Sequence, residues 1–313
     1  MSLDKKFEKL FLDVSVKAAI SSYSHLGKKD KIAADKSAVD AMRSELNKID
    51  MKGEIVIGEG ELDEAPMLYI GEKLGTMNGP ELDIAVDPLE GTNFAAYNLP
   101  GALSVIAVAE KSNLFNAPET YMDKIAISSS SKGIVDLDNT VTKNIKNLAE
   151  HKNKKPENLT ACILDRPRHK NQIEELKSLG VNLKLISDGD ISGALLVTKE
   201  EYNVDIFFGI GGGPEGVLSA SALSAFDCFF QGKFIFESDL DKKRAAEMGI
   251  RDFNRKYELN EIISGDSIFC ATGITSGDLV KGIRVENDFF LSDTLITHKS
   301  SKLKKNIKSR LKI

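Results

Sequence analysis

Two acidic clusters stand out as residues able to do chemistry. The first follows Glu54-Ile55-Val56-Ile57 and reads Gly58-Glu59-Gly60-Glu61-Leu62-Asp63-Glu64. The second reads Asp83-Ile84-Ala85-Val86-Asp87-Pro88-Leu89-Glu90-Gly91-Thr92-Asn93. Each apolar run is short, rich in β-branched residues, and stopped by Gly or Pro, as a buried strand is where it meets a loop. Several carboxylates are thereby collected at two strand ends. Close together and unpaired they repel and raise one another's pKa values. A hard divalent cation removes that cost, because Mg²⁺ and Mn²⁺ favour carboxylate oxygen. Taken singly, either cluster also reads as a solvated acidic loop.

The elements that must position these acids follow from periodicity. Phe7, Leu10, Phe11, Val14 and Ala18 recur at helical spacing, which predicts an amphipathic helix ending before Gly27. Val39, Met42 and Leu46 predict a second helix, with Asp35 near its start as an N-cap or, if that start faces the acidic strand ends, as a metal ligand. Ala102 to Val108 reads as a strand. Tyr121 and the serines 128–131 read as loop, the tyrosine either as packing or as a ligand contact.

Beyond the polar stretch Lys152-Asn153-Lys154-Lys155-Pro156 the pattern becomes strand, helix, strand. That stretch marks a boundary between an N-terminal α+β domain, 1–155, and a C-terminal α/β domain, 156–313. The final strands, 268–298, are candidates to return to the first domain. The alternation predicts parallel strands with crossover helices, whose ligands bind beyond the carboxyl ends of the strands. Three loops fall there: Arg166-Pro167-Arg168-His169, Ser187-Asp188-Gly189-Asp190 and Gly209-Ile210-Gly211-Gly212-Gly213-Pro214-Glu215-Gly216. Arginine suits phosphate because its planar fork makes two parallel hydrogen bonds, although Arg166 and Arg168 also fit surface ion pairs. Asp188 and Asp190 fit an Asx turn or hydroxyl recognition. His169 reads as a solvent-facing residue at a helix start.

The glycine run matches G-x-G-x-x-G, with Glu237 about twenty residues further on, which is the dinucleotide fingerprint and raises a nicotinamide-dependent oxidoreductase as a rival reading. Against it, Glu215 sets a negative charge where a pyrophosphate would approach the helix start, and the acids near Glu59 and Asp87 have no part in hydride transfer. Glu215 serves better as a metal ligand.

The chain has 313 residues and a net charge of −5, enough for two cores and unsuited to a general nucleic-acid binder. No apolar run approaches the length of a membrane span, and the first residues lack the apolar segment of a signal peptide. The three cysteines lie apart in apolar runs and read as reduced core residues of a cytoplasmic protein. The lysine-rich segment after His298 reads as a solvated tail or short helix.

Gly58-Glu59-Gly60-Glu61-Leu62-Asp63-Glu64-Ala65-Pro66-Met67-Leu68-Tyr69 and Ala85-Val86-Asp87-Pro88-Leu89-Glu90-Gly91-Thr92-Asn93 resemble the class II fructose-1,6-bisphosphatases, the GlpX family. The second motif is also similar to the wider lithium-sensitive, metal-dependent sugar and inositol phosphatases. The resemblance runs from about Phe7 to about His298, with the lysine-rich end departing from it. It implies an αβαβα layered sandwich, an α/β fold built of two α+β units, and hydrolysis of the 1-phosphate of fructose 1,6-bisphosphate in gluconeogenesis. A dual fructose-1,6/sedoheptulose-1,7-bisphosphatase is the alternative within the family. The resemblance further implies Mn²⁺ or Mg²⁺ held by Asp35 and Glu59 at one position and by Asp87, Glu90 and Glu215 at another. It gives Glu90, Gly91 and Thr92 the reacting phosphate, and Thr92, Glu59 and Asp87 the catalytic roles. Tyr121, Arg166, Pro167, Arg168, Asp188, Gly189, Asp190 and Gly212 would meet the rest of the sugar bisphosphate. A homo-oligomer, dimer or tetramer, without nucleic acid or membrane partners, completes the expectation.

Overall fold

The computed structural model describes residues 3–58 and 68–313. The chain begins with α1 (Lys6–Tyr23) and α2 (Lys31–Leu46), then β1 (Lys52–Ile57), β2 (Lys73–Leu74) and β3 (Glu81–Glu90). Helix α3 (Thr92–Tyr97) and β4 (Leu103–Glu110) follow. Phe7, Phe11, Val14 and Ala18 are all buried, so the helical spacing read from the sequence is the core face of α1. Asp30, not Asp35, caps α2: its carboxylate accepts a hydrogen bond from Ala33 N at 2.9 Å. Asp35 therefore lies inside the helix, and the capping explanation does not apply to it.

Next come β5 (Tyr121–Ile127), α4 (Val141–His151), β6 (Thr160–Leu164), α5 (Lys170–Ser178) and β7 (Asn182–Ile186). They lead to α6 (Asp190–Leu195), β8 (Ile206–Gly212), α7 (Gly213–Ala225), β9 (Phe229–Ile235), α8 (Asp239–Glu247), β10 (Lys256–Glu258) and α9 (Leu259–Ile262). These elements form one compact unit, Ala117–Ile262, around a sheet of order β10-β9-β5-β8-β6-β7. Strands β7, β6 and β8 run parallel, as the alternation predicts, whereas β5 and β9 are antiparallel to their neighbours. Helices α4 and α5 cover one face through Ile145, Leu148, Ile173 and Leu176, packed on Ile125, Ala161, Ile163 and Phe208. Helices α6 and α7 cover the other, where Phe207 and Cys162 approach Gly193 of α6. Tyr121 opens a strand rather than lying in a loop. The polar stretch at 152–158 connects α4 to β6 inside this unit, so the compact units change over at Asn116/Ala117 and Ile262/Ile263 and not at 155/156.

The chain then gives β11 (Ser267–Gly273), β12 (Arg284–Glu286), β13 (Phe289–His298) and β14 (Leu303–Lys312). With Met1–Asn116 they form the other unit, in a sheet of order β12-β13-β11-β4-β3-β1-β2 with β14 on β13. The lysine-rich end is thus neither a tail nor a helix. It pairs with β13 along its whole length, from Phe289↔Lys312 to His298↔Leu303. Helix α1 lies on one face of this sheet, fixed by a row of buried hydroxyls. Ser15 Oγ donates to Ser104 O at 2.9 Å and is 2.7 Å from Thr272 Oγ1, which is 2.8 Å from Thr294 Oγ1. Buried hydroxyls of this kind demand partners, and here three strands supply them. At the end of β13, buried His298 is hydrogen-bonded to Glu8 of α1 at 2.6 Å and to Asp266 at 2.9 Å. The protein is a mixed α/β fold with two multistranded sheets. One unit has helices on one sheet face and the other has helices on both.

Candidate active site

The Asp-Pro-Leu-Glu-Gly-Thr motif forms the corner between β3 and α3. Pairing of β3 with β4 is regular as far as Asp87↔Val105, shifts register, and resumes at Glu90↔Leu103. The irregularity falls at Pro88, which has no N–H to give a ladder. Gly91 then turns the chain at φ +78°, and a Cβ there would come within 2.8 Å of the Phe94 ring. Only glycine meets both conditions. Thr92 is the first residue of α3, so its N–H has no partner within the helix ladder. Glu90 is 5 % exposed and Asp87 half-buried.

Asp35 is half-buried in α2, which packs on β3 and α3. The approach to α2 is tied to α3 by Gly27 N to Ala95 O at 3.0 Å and Lys29 N to Ala96 O at 2.9 Å. One oxygen of Asp35 and one of Glu90 are completely shielded from solvent. Hard, shielded carboxylate oxygens fit Mg²⁺ or Mn²⁺ better than any softer ion. Glu59 lies outside the described residues. Among the described residues no group of three or more His, Cys, Asp or Glu side chains is placed to hold a metal ion by itself.

In the other unit the parallel strands deliver their loops to one end of the sheet. Arg166–Arg168 follow β6, Asp188–Asp190 follow β7, and Gly212 closes β8 directly before α7. Tyr121 starts β5 opposite Gly212 and so belongs to the same end. The guanidinium of Arg168 stacks over the Tyr121 ring at 4.8 Å, and its Nε donates to Ile210 O at 2.5 Å. Arg166 reaches to 4.0 Å from Asp188. Gly189, at φ +87°, turns the chain between the two aspartates.

His169 is fully buried, not solvent-facing. Its Nε2 accepts a hydrogen bond from Ile210 N at 2.7 Å, which requires the neutral ring. Burial, reinforced by the nearby Arg168 charge, lowers its pKa to about 4. His169 and Arg168 thus hold the N–H and the carbonyl of one residue, Ile210, in β8. Lys124, which the sequence reading passed over, is 1 % exposed and donates to the Asp190 carboxylate and, at 2.8 Å, to Gly212 O. Its signal in the sequence is a single lysine within the apolar run of β5.

The glycine run does not cradle a pyrophosphate. Gly211 and Gly212 are strand residues paired with Met122 and Tyr121, and Gly213 N is already bonded to Thr120 O at 2.8 Å. Its glycines make room for acids instead. A Cβ at Gly211 would come within 2.5 Å of Asp190 Oδ2, and one at Gly212 within 1.8 Å of Glu215 Oε2. Burial raises the Glu215 carboxyl above its ordinary range; Lys124 opposes that shift and Asp190 adds to it. Tyr121, Gly212 and Glu215 border a cavity of about 360 Å³. These features remove the physical basis of the dinucleotide reading.

The comparisons with known proteins define the class, a phosphoric monoester hydrolase. The chain belongs to the family described as bacterial fructose-1,6-bisphosphatase, glpX-encoded, whose model matches residues 6–311. The match includes most of β14, beyond the limit at His298 that the motifs suggested. A Synechococcus (strain CC9902) protein named D-fructose 1,6-bisphosphatase class 2/sedoheptulose 1,7-bisphosphatase is 42% identical over 308 residues, covering 94% of this chain and 92% of its own. A Prochlorococcus marinus (strain MIT 9301) protein of the same name is 43% identical over 299 residues, covering 91% and 90%. Among solved structures, an inositol monophosphatase from Anabaena aligns over 62% of this chain and 71% of its own, with 12% identity and a TM-score of 0.32. No helix of the described residues is long and apolar enough to cross a membrane.

Proposed function

We propose that this protein hydrolyses the 1-phosphate of fructose 1,6-bisphosphate, giving fructose 6-phosphate and phosphate, with Mn²⁺ or Mg²⁺ as cofactor. The observation that carries the reading is the family match across residues 6–311, which includes every residue assigned here. The proposed metal ligands are Asp35, Asp87, Glu90 and Glu215, with Glu59 outside the described residues. A bound divalent ion supplies charge neutralisation on the phosphoryl oxygens and acidifies the attacking water.

The remaining roles belong to the chain. The Thr92 hydroxyl orients the water and helps take its proton, while Glu59 and Asp87 supply the surrounding negative charge. Glu90 and the N–H groups of Gly91 and Thr92 hold the reacting phosphate. Arg166 and Arg168 anchor the distal phosphate, so that binding energy remote from the reacting centre positions the scissile group. Asp188, Asp190 and Tyr121 meet sugar hydroxyls, and Pro167, Gly189 and Gly212 shape the contact. Lys124 keeps Asp190 in place. A cytoplasmic homo-oligomer acting in gluconeogenesis is the accompanying proposal.

The names of the cyanobacterial relatives favour a second reading, in which sedoheptulose 1,7-bisphosphate is also a substrate. Phosphate release from a panel of sugar phosphates, with and without Mn²⁺ or Mg²⁺, tests both. Metal-dependent release from fructose 1,6-bisphosphate is expected. Release from sedoheptulose 1,7-bisphosphate at a comparable kcat/KM establishes the dual activity, and no release from either bisphosphate with either ion defeats the proposal.

A further inference from the structure

A second candidate site lies in the unit built on β11–β14. The loop between β11 and β12 folds back over β13 and β14 and encloses a cavity of about 450 Å³. Lys281, Arg284, Lys308 and Arg310 line it, together with Asp293. The strand register explains the grouping. Leu291 stands between Arg284 and Arg310 as their cross-strand partner, and Asp293 pairs with Lys308 two residues along. Residues two apart on a strand share a face, and so do cross-strand partners. Arg284, Arg310, Lys308 and Asp293 therefore project from the same side of the sheet, opposite the face whose Thr294 joins the hydroxyl row to α1.

Backbone contacts shape this cavity. Lys281 N donates to Asp293 Oδ2 at 2.9 Å, and Gly282 N to Ser276 Oγ at 3.0 Å. A Cβ at Gly282 would come within 2.6 Å of the backbone at Thr275 and Ser276, and one at Gly273 within 2.4 Å of Lys281 O. Close backbone approach at both ends holds the loop down. The Arg310 guanidinium lies 3.7 Å from the centroid of the Phe289 ring. None of the four cationic heads is in an ion pair among the described residues.

Two properties are then in excess. Four positive charges face one carboxylate, and arginine pairs binding phosphate do so through parallel N–H donors. Asp293 is only 8 % exposed, and its Oδ1 is shielded from solvent with no hydrogen-bond partner. A buried acceptor left in that state is costly. We infer that this cavity binds a phosphorylated small molecule, its phosphate held by Arg284, Arg310, Lys308 and Lys281 and an O–H or N–H donor of the same molecule satisfying Asp293 Oδ1. The chemistry required is phosphate plus an adjacent donor, which sugar monophosphates and nucleoside monophosphates both offer. The inference does not depend on the function proposed above.

Calorimetric titration of the full chain with inorganic phosphate, glucose 6-phosphate and adenosine 5′-monophosphate tests it. To separate this site from sugar-phosphate contacts on the other sheet, each probe is titrated also into Arg166→Ala/Arg168→Ala. The expected result is binding of one organic phosphate at least about tenfold tighter than inorganic phosphate, retained in that background. Arg284→Ala/Arg310→Ala, whose side chains are exposed and whose thermal midpoint should not move, is expected to weaken it by about tenfold or more. Asp293→Asn should narrow the preference over inorganic phosphate; should that buried change perturb folding, Lys281→Ala, at an exposed position, is the second variant and should weaken binding of every probe. Which organic phosphate binds identifies the source. Absence of binding by every probe, equal affinity for organic and inorganic phosphate, or undiminished binding by Arg284→Ala/Arg310→Ala each overturns the inference.

Discussion

The carboxylate of Glu215 fills the space a side chain at Gly212 would need: the two would meet at 1.8 Å. Because the obstacle is the end of a flexible side chain, Gly212→Ala should cost little stability. It should instead push Glu215 aside. The expected outcome is a loss of kcat/KM of about tenfold or more with a thermal midpoint shifted by only a few degrees. Steady-state kinetics beside a melting curve measures both, and unaltered kinetics would detach Glu215 from the reaction.

Lys124 and Asp190 form a buried pair that also ties down Gly212 O. Lys124→Met leaves Asp190 buried with its charge uncompensated, a change that costs roughly 3–5 kcal/mol. Asp190→Asn in the same chain should recover part of the loss, because the lone charge is gone. Urea unfolding of the two single variants and the double variant reads the coupling, and strictly additive losses contradict it.

Thr92→Ala tests the proposed water-orienting hydroxyl. Since Gly91 sets the backbone turn and Thr92 only begins α3, the variant should fold and bind as before. Turnover should fall by about a hundredfold, in the range of general-base contributions. Equal turnover would leave the hydroxyl with no part in the chemistry.

His169 and His298 should titrate on opposite sides of the ordinary histidine range, and imidazole proton resonances can follow each. Burial holds His169 neutral down to about pH 4. The unfolded chain takes up protons before the native state does, so His169 withdraws stability as pH falls from about 6.5 toward 4. Burial opposes the charge on His298, but hydrogen bonds to Asp266 and Glu8 outweigh it and raise its pKa. That contribution is complete below about pH 6.5 and fades as pH rises through the elevated native value. Burial likewise opposes the charge on Asp266, yet its bonds to His298 and Ser300 lower its pKa to about 2. Its contribution is present above about pH 3.9 and is lost as pH drops toward 2. The Asp266–His298 contact should therefore support the native state most between about pH 4 and 6.5. Removing it with His298→Phe should flatten the pH dependence of the urea midpoint on the alkaline side.

The parts legible in the sequence are those whose signal is local. The corner at Asp87–Thr92 is written in six consecutive residues, each with its own geometric reason. The loops at Arg166, Asp188 and Gly212 follow from strand–helix alternation, which places successive carboxyl ends on one side. Lys124 was missed because its partner Asp190 is 66 residues away, and a lone lysine in an apolar strand says nothing about what it meets. His169 sits among Arg166, Arg168 and Lys170 and so reads as surface, while its ring turns inward to the backbone of β8. Leu303, Ile307 and Leu311 are spaced four apart, which suits a helix face as well as alternate positions of a strand. Only pairing with β13 decides between them. Lysines and a proline at 152–156 have the composition of a linker but connect a helix to the next strand of the same sheet. The glycine run carries the converse ambiguity, since a pattern that fits pyrophosphate recognition also fits close packing around two carboxylates.

Strand β14 carries lysine or arginine at 304, 305, 308, 310 and 312 and shields the whole flank of β13. Like charge along an open strand margin discourages a second chain from docking there. Proteolytic trimming near residue 302 would take away both the cover and the repulsion. What remains would be the bare margin of β13, rich in Phe, Leu and Ile, so a clipped preparation should form aggregates while the intact chain stays dispersed.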